Sequence, residues 1–205
     1  MVLLLPVAIG FALGLALGGR PGRLAELKLR SLWLLFVAFG LQVIAFPWSF
    51  LPWSTAEDAA TVLWLGTYAL LALVAIRNRH VRGFGLLAVG MLSNLTAIVA
   101  NGGHMPALPS AMIDAGVAYD GVHLNSIGDP NPNLSWLVDR WGAPEWVPWA
   151  NVYSVGDVLL AAGAIIVIVA GMGVRLPWLD RLPRLRRPMR LQRPADARPA
   201  DAPAD

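Results

Sequence analysis

The sequence predicts an all-α integral membrane protein with five transmembrane helices, an outward N-terminus, a cytoplasmic C-terminus and one long structured outer loop between helices 4 and 5. Three observations predict it. The 205 residues are 57% apolar and 14% charged, against about 25% charged in soluble domains. The apolar residues fall in five runs, each near the roughly 20 helical residues that a hydrocarbon core requires. The basic residues fall on one side of those runs when they are counted loop by loop.

The runs cover about 2–19, 31–51, 59–76, 83–100 and 155–174 of a membrane domain spanning 1–174. In lipid, only helices and closed barrels satisfy every backbone polar group. None of the runs alternates polar and apolar residues as barrel strands do, so helices are expected. No basic residue precedes the first run, and Arg20 and Arg23 follow it, which marks a retained span with its N-terminus outside rather than a secretory signal.

Orientation follows from Lys and Arg. The first connection holds Arg20, Arg23, Lys28 and Arg30, the third Arg77, Arg79 and Arg82, and the C-terminal segment eight more from Arg175 to Arg198. Fifteen of the sixteen basic residues thus share the cytoplasmic side, with Arg140 alone outside. One helix more or fewer breaks this separation. Glu57, Asp58, Asp114, Asp120, Asp129, Asp139 and Glu145 fall outside, with Asp157 at the start of the last helix. Trp48, Trp53, Trp136, Trp141, Trp146 and Trp149 gather at that level, where an indole keeps its N–H wet and its ring dry. The expected location is the cell inner (plasma) membrane.

The outer loop, 101–153, is the one long connection, and loops beyond about 12–15 residues are usually functional or disordered. Its Trp, Leu and Val content argues for order. Short helices are expected at 110–116 and 135–141, each opened by a serine that can cap it. Residues 175–193 alternate Arg with Leu, Pro and Trp178, which predicts a membrane-surface segment for anionic lipid headgroups, at about 1 kcal/mol per basic residue. Residues 194–205 repeat Pro, Ala and Asp and are expected to be disordered.

The residues that could carry chemistry lie at the outer face. The fourth run ends in Asn101-Gly102-Gly103-His104-Met105-Pro106. Glycine followed by proline is an ordinary helix stop; the alternative is a ligand site with Asn101 and His104 as polar contacts. Ser154 and Asp157, three apart and flanking Gly156, match a capping box, and an acid beside a span is also a candidate proton or cation carrier. Gly10, Gly14 and Gly18 form successive small-x-x-x-small steps that predict close helix packing, within the chain or in a homo-oligomer. Gln42, Thr67, Tyr68, Ser93, Asn94 and Thr96 are the uncharged polar residues of the spans and suit interhelical hydrogen bonds.

Several classes are disfavoured. With no cysteine, disulfides, thiolate nucleophiles, iron–sulfur clusters and cysteine-ligated zinc are excluded. No embedded histidine pair could hold haem, so no cofactor is expected. His104 and His123 with Asp114, Asp120 and Asp129 lack compact metal spacing such as His-Glu-x-x-His, and no metal is expected. There is no Gly-x-Ser-x-Gly elbow. The net charge of +3 arises beside the spans, and no nucleic-acid partner is expected.

Three ordered segments, Asn101 to Pro106, Leu124-Asn125-Ser126-Ile127-Gly128-Asp129 and Tyr153-Ser154-Val155-Gly156-Asp157, resemble those of a bacterial multi-pass membrane protein family of unknown function. That family carries Asn-x-Gly-x-Met-Pro, Leu-Gly-Asp and Ser-x-Gly-Asp motifs in this order, and Ile127 replaces the usual Leu. The resemblance runs to about Val174 and implies the family's fold and outer loop, without an assigned activity. The functional expectation is a non-enzymatic membrane protein whose outer loop binds a partner or small ligand. A small-solute or ion transporter would need a polar path through Gln42, Thr67, Asn94 and Asp157. An enzyme acting on envelope lipid would need His104, Asp129 and Asp157 in one pocket.

Overall fold

The computed structural model describes residues 4–45, 57–116, 122–123, 126–143 and 152–175; for Glu57, Asp58, Val122, His123 and Ser126 only the backbone is described. The chain is mostly helical. Helices α1 (Leu4–Ala16), α2 (Trp33–Ala45), α3 (Glu57–Arg77), α4 (Phe84–Ala100) and α6 (Val155–Gly171) occupy the five apolar runs. Within α3, Ala59–Arg77 is long and apolar enough to cross a membrane, whereas α1, α2, α4 and α6 are apolar helices of 13 to 17 residues. The basic segment 175–193, beyond Arg175, and the tail 194–205 lie outside the described residues, as do Trp48, Trp53, Trp146 and Trp149.

The helices pack in the order α2, α3, α4, α6, α1. Their outward faces are apolar: Phe36 is 77% exposed and Trp33 64%, with Leu13, Leu15, Phe39, Val62, Val89 and Val158 also exposed. Between the helices, small and polar residues are buried alongside larger ones such as Leu34, Trp64, Val74, Ile98, Leu160, Ile168 and Val169. Ala38, Ala72, Ala75, Ala88 and Ala97 are buried, together with Thr67, Asn78 and Asn94. Packing through small residues lets backbones approach closely where burial of large side chains provides little.

The closest approach is between α4 and α6. A Cβ added at Gly90 would lie 2.7 Å from the Gly156 carbonyl oxygen and 3.1 Å from Leu160 N, and one at Gly156 would run into the Asn94 side chain. One heptad away, a Cβ at Gly83 would meet the Gly163 carbonyl. Gly10 and Gly14 of α1 are buried against Ile165 and Ile168 of α6 and Met172 at its C-cap. Gly18 lies beyond the end of α1 at φ 77° with nothing within 4 Å, so it ends the helix where packing was expected of it.

Two features at the α3 C-terminal end have no counterpart in the sequence reading. A 3₁₀ helix, Pro21–Glu26, lies on α6 and α1, with Leu24 and Leu27 against Gly171 and Arg20 N–H donating to the Met172 carbonyl at 2.9 Å. Asn78, fully buried, accepts from Arg30 N–H at 2.7 Å and donates to the Arg30 carbonyl at 2.9 Å and to the Val74 carbonyl at 2.8 Å. An amide carries donor and acceptor at peptide spacing, so this side chain pairs with backbone as a strand would.

The segment between α4 and α6, called the outer segment after its expected side, is not the helical loop expected. A short helix, α5 (Pro109–Asp114), forms, with Leu108 at its N-cap and no side-chain cap bond, so Pro109 rather than Ser110 opens it; proline is preset for the first helical turn. Residues 135–141 form no helix. Asp139 N–H donates to the Pro106 carbonyl and Leu108 N–H to the Asp139 carbonyl, so this backbone pairs laterally. Strands β1 (Met105–Ala107), β2 (Val122–His123) and β3 (Ser126–Gly128) make one sheet in the order β1-β3-β2, and β4 (Trp141–Gly142) pairs antiparallel with β5 (Val152–Tyr153).

Replacing Gly90 or Gly156 with alanine should destabilise the purified protein by about 1–3 kcal/mol, the usual cost of overpacking. Gly85→Ala, where nothing lies within 4 Å, should be neutral or slightly stabilising. Thermal unfolding followed by circular dichroism separates these; equal midpoints for Gly156→Ala and Gly85→Ala would contradict the close crossing.

Candidate outer-face site

The Asn101–Pro106 segment divides its tasks residue by residue. Asn101 is the C-cap of α4, and its amide donates to the Ala97 carbonyl at 2.7 Å and to the Asn133 carbonyl at 3.0 Å. Asn133 N–H returns a bond to Asn101 Oδ1 at 2.8 Å, and Asn133 Nδ2 donates to the Ala100 carbonyl at 3.0 Å. The two asparagines therefore clamp 133 onto the end of α4. Gly102 and Gly103 follow at φ 70° and 95°, a pair of left-handed residues that only glycine adopts without cost. Gly103 N–H reaches back to the Ile98 carbonyl, while its bare Cα abuts Thr61.

Beyond the turn, Met105 is buried with Trp64, Ala97, Ile98 and Leu137, seating the outer segment on α3 and α4. Pro106 continues into β1, opposite Ile127 of β3. Asp129 N–H bonds the Ala107 carbonyl at 3.0 Å, and Asp129 Oδ1 accepts from Asn131 N–H at 2.8 Å. The two segments thereby form one shallow cleft of about 280 Å³, lined by Ala100, Asn101, Gly102, His104, Pro106, Ile127, Asp129 and Asn133. Within it, Asn101 and Asn133 are committed to each other. The half-buried His104 ring and the second Asp129 oxygen carry no hydrogen bond among the described residues.

The third motif lies elsewhere. Ser154 is the N-cap of α6 and forms a reciprocal capping box with Asp157: Asp157 N–H donates to Ser154 Oγ at 3.1 Å, and Ser154 N–H to Asp157 Oδ2 at 3.0 Å. Asn94 of α4, 3% exposed, closes the group by donating from Nδ2 to Asp157 Oδ1 at 3.0 Å. The Ser154 hydroxyl has two acceptors in reach, Asn94 Oδ1 at 2.9 Å and Asp157 Oδ2 at 2.8 Å, and its single proton serves one at a time. Gly156 is what admits Asn94, because a side chain there would occupy its place.

The structure thus brings Asn101, Gly102, His104, Pro106 and Asp129 to the cleft and uses Gly103 and Met105 beneath it. Ser154, Gly156 and Asp157 stand in the α4–α6 knot, and Asp157 is not among the cleft residues. Thr67 donates to the Leu63 carbonyl at 3.1 Å with the Ala38 carbonyl at 3.5 Å, so it and Asn94 have partners within the helix row. No group of three His, Asp or Glu among the described residues could hold a metal ion. Asn133 and Asn78 were missed by the sequence reading; Asn133, in Asn131-Pro132-Asn133, carried only a turn signal.

A model of the family of unknown function DUF5317 matches residues 26–169 of the chain. An uncharacterized protein of Thermotoga maritima is 31% identical over 137 residues, covering 63% of this chain and 74% of that protein. No solved structure matches.

Asn94→Ala and Asp157→Ala should each destabilise by about 1–3 kcal/mol, the penalty for a buried polar group left unpaired. A double-mutant cycle in chemical denaturation should give a coupling of about 0.5–3 kcal/mol, as for residues in direct contact. Strict additivity would show that the knot does not exist.

Proposed function

The chain belongs to DUF5317, a family of unknown function, and we propose that it is a multi-pass inner-membrane protein whose outer segment binds a small polar ligand without catalysing a reaction. The observation that carries the membrane reading is the run of large apolar side chains exposed on the outward faces of the helix row, with the buried Thr67, Asn78 and Asn94 turned between helices. A lateral face bearing Phe36, Trp33 and Leu15 is costly in water and free of cost in hydrocarbon. Five spans with the N-terminus outside remain the arrangement that best separates the basic residues.

Ligand binding at the outer face is supported by the cleft. Two segments distant in sequence form it, its walls are held by the Asn101–Asn133 clamp, and the uncommitted groups are an imidazole and a carboxylate oxygen. Such a lining favours a ligand that brings hydrogen-bond donors, of a size at the small end of ligand sites. Binding is favoured over catalysis because Asp157, the acid that would complete a reacting centre with His104 and Asp129, is engaged by Ser154 and Asn94.

The membrane reading predicts that the full chain stays with membranes through extraction at high pH; release into the supernatant would contradict it. For the cleft, purified protein in detergent should be screened by thermal shift against small amines, amino acids and polyols. Asp129→Asn keeps an oxygen for the Asn131 N–H and removes the charge, so the fold should persist while a stabilising amine loses at least about tenfold in affinity, as for a lost charge-assisted hydrogen bond. A stabilising compound that acts equally on wild type, Asp129→Asn and His104→Ala would place binding elsewhere.

A further inference from the structure

The described cations concentrate at the end of the helix row opposite the cleft. Arg20 and Arg23 border the start of the 3₁₀ helix, Lys28 and Arg30 precede α2, and Arg77 and Arg79 flank Asn78 at the α3–α4 turn. These segments meet there. The 3₁₀ helix lies on the ends of α1 and α6, Arg23 lies against Gly173, and His80 Nε2 is 3.4 Å from the Lys28 carbonyl. All six cations are exposed, and among the described residues none has an ion-pair partner. Glu26 is the sole acid among the described residues of these segments.

Their spacing is enforced. Asn78, buried between Arg77 and Arg79, grips the Arg30 backbone through donor and acceptor together, and the next residue, Ser31, sits at φ 59°, a left-handed conformation that non-glycine residues rarely adopt. Like charges held together repel unless a counter-anion joins them. Directly after Arg30, an exposed apolar belt of Leu32, Trp33 and Phe36 leads into the start of α2.

We propose that this rim docks anionic phospholipid headgroups, with Arg30, Arg77 and Arg79 around a lipid phosphate and the apolar belt beside its acyl chains. The proposal rests on the membrane reading. Guanidinium forks match phosphate oxygens bidentately, and an indole such as that of Trp33 suits the headgroup boundary. A soluble polyanion would satisfy the cations and leave the belt in water, so the two features together select a lipid.

The test uses the full chain in neutral detergent, titrated with phosphatidylglycerol or phosphatidylcholine and read by thermal unfolding. Phosphatidylglycerol should stabilise and phosphatidylcholine should not, and salt should weaken the effect. Arg30→Gln, Arg77→Gln and Arg79→Gln combined, with every tail arginine retained, should weaken phosphatidylglycerol binding about a hundredfold, at about fivefold per basic residue. An equal response to both lipids, or an equal response to inorganic phosphate, overturns the proposal. So does a triple variant that stays in membranes at high pH and keeps its phosphatidylglycerol affinity, an outcome that leaves the membrane reading intact; release of the wild type at high pH removes both.

Discussion

The α4–α6 crossing is the constraint on which the rest of the structure depends. Gly90 and Gly156 bring the two backbones together, and that approach puts Asn94 beside the N-terminus of α6, where Asp157 and Ser154 bind it. Helix α4 ends in the Asn101–Gly103 turn that launches β1, and α6 begins directly after β5. The same crossing therefore fixes both ends by which the outer segment is attached. Widen it, and the buried amide loses its partners while the strands lose their common frame.

Packing of this kind sets close glycine and alanine contacts beside a few buried large side chains, such as Trp64, Ile98 and Leu160. In water, a helix row whose outer faces carry Phe36, Phe39 and Leu15 would gain by turning those faces inward. On the proposed membrane reading that drive vanishes in hydrocarbon, and close backbone contact and interhelical hydrogen bonds supply the cohesion. The glycine pairs along α4 and α6, the Thr67 hydroxyl on α2 and α3, and the Asn94 group supply both kinds. Thr67 and Asn94 thus act as joints between helices, while Thr96 bonds only its own helix. Among the described residues, the Ser93 hydroxyl is buried without a partner, and at the cleft the His104 ring and an Asp129 oxygen carry no hydrogen bond.

The helical part of the fold was legible because length and apolarity are local properties of a run, and each of the five runs holds a helix, the described part of the second ending at Ala45. The outer segment was less legible for a physical reason. Strands of two or three residues carry no measurable alternation, and their pairing, such as Ala107 with Gly128 and Asp139, is set by tertiary approach. The serine at 135 suggested a helix cap, but β1 offered the backbone of 139 better partners. The capping box was readable because Ser154 and Asp157 lie within one turn. Asn94 was legible as a span residue suited to an interhelical hydrogen bond but its partner was not, and Asn78 was not legible at all, since their partners lie 63 and 48 residues away. Gly18 illustrates the converse: its spacing with Gly10 and Gly14 suggested packing, and one more turn of helix would have been needed to use it.

The most direct measurement of the central claim is the sidedness of the two ends of the helix row. The chain has no cysteine, so single cysteines can be introduced at exposed positions and probed with a membrane-impermeant maleimide in intact cells. Asn131→Cys, beside the cleft, should label in intact cells, and Arg79→Cys, at the cationic end, only after permeabilisation. Labelling of both before permeabilisation, or of Arg79→Cys alone, would contradict a helix row that crosses the membrane with its cleft outside.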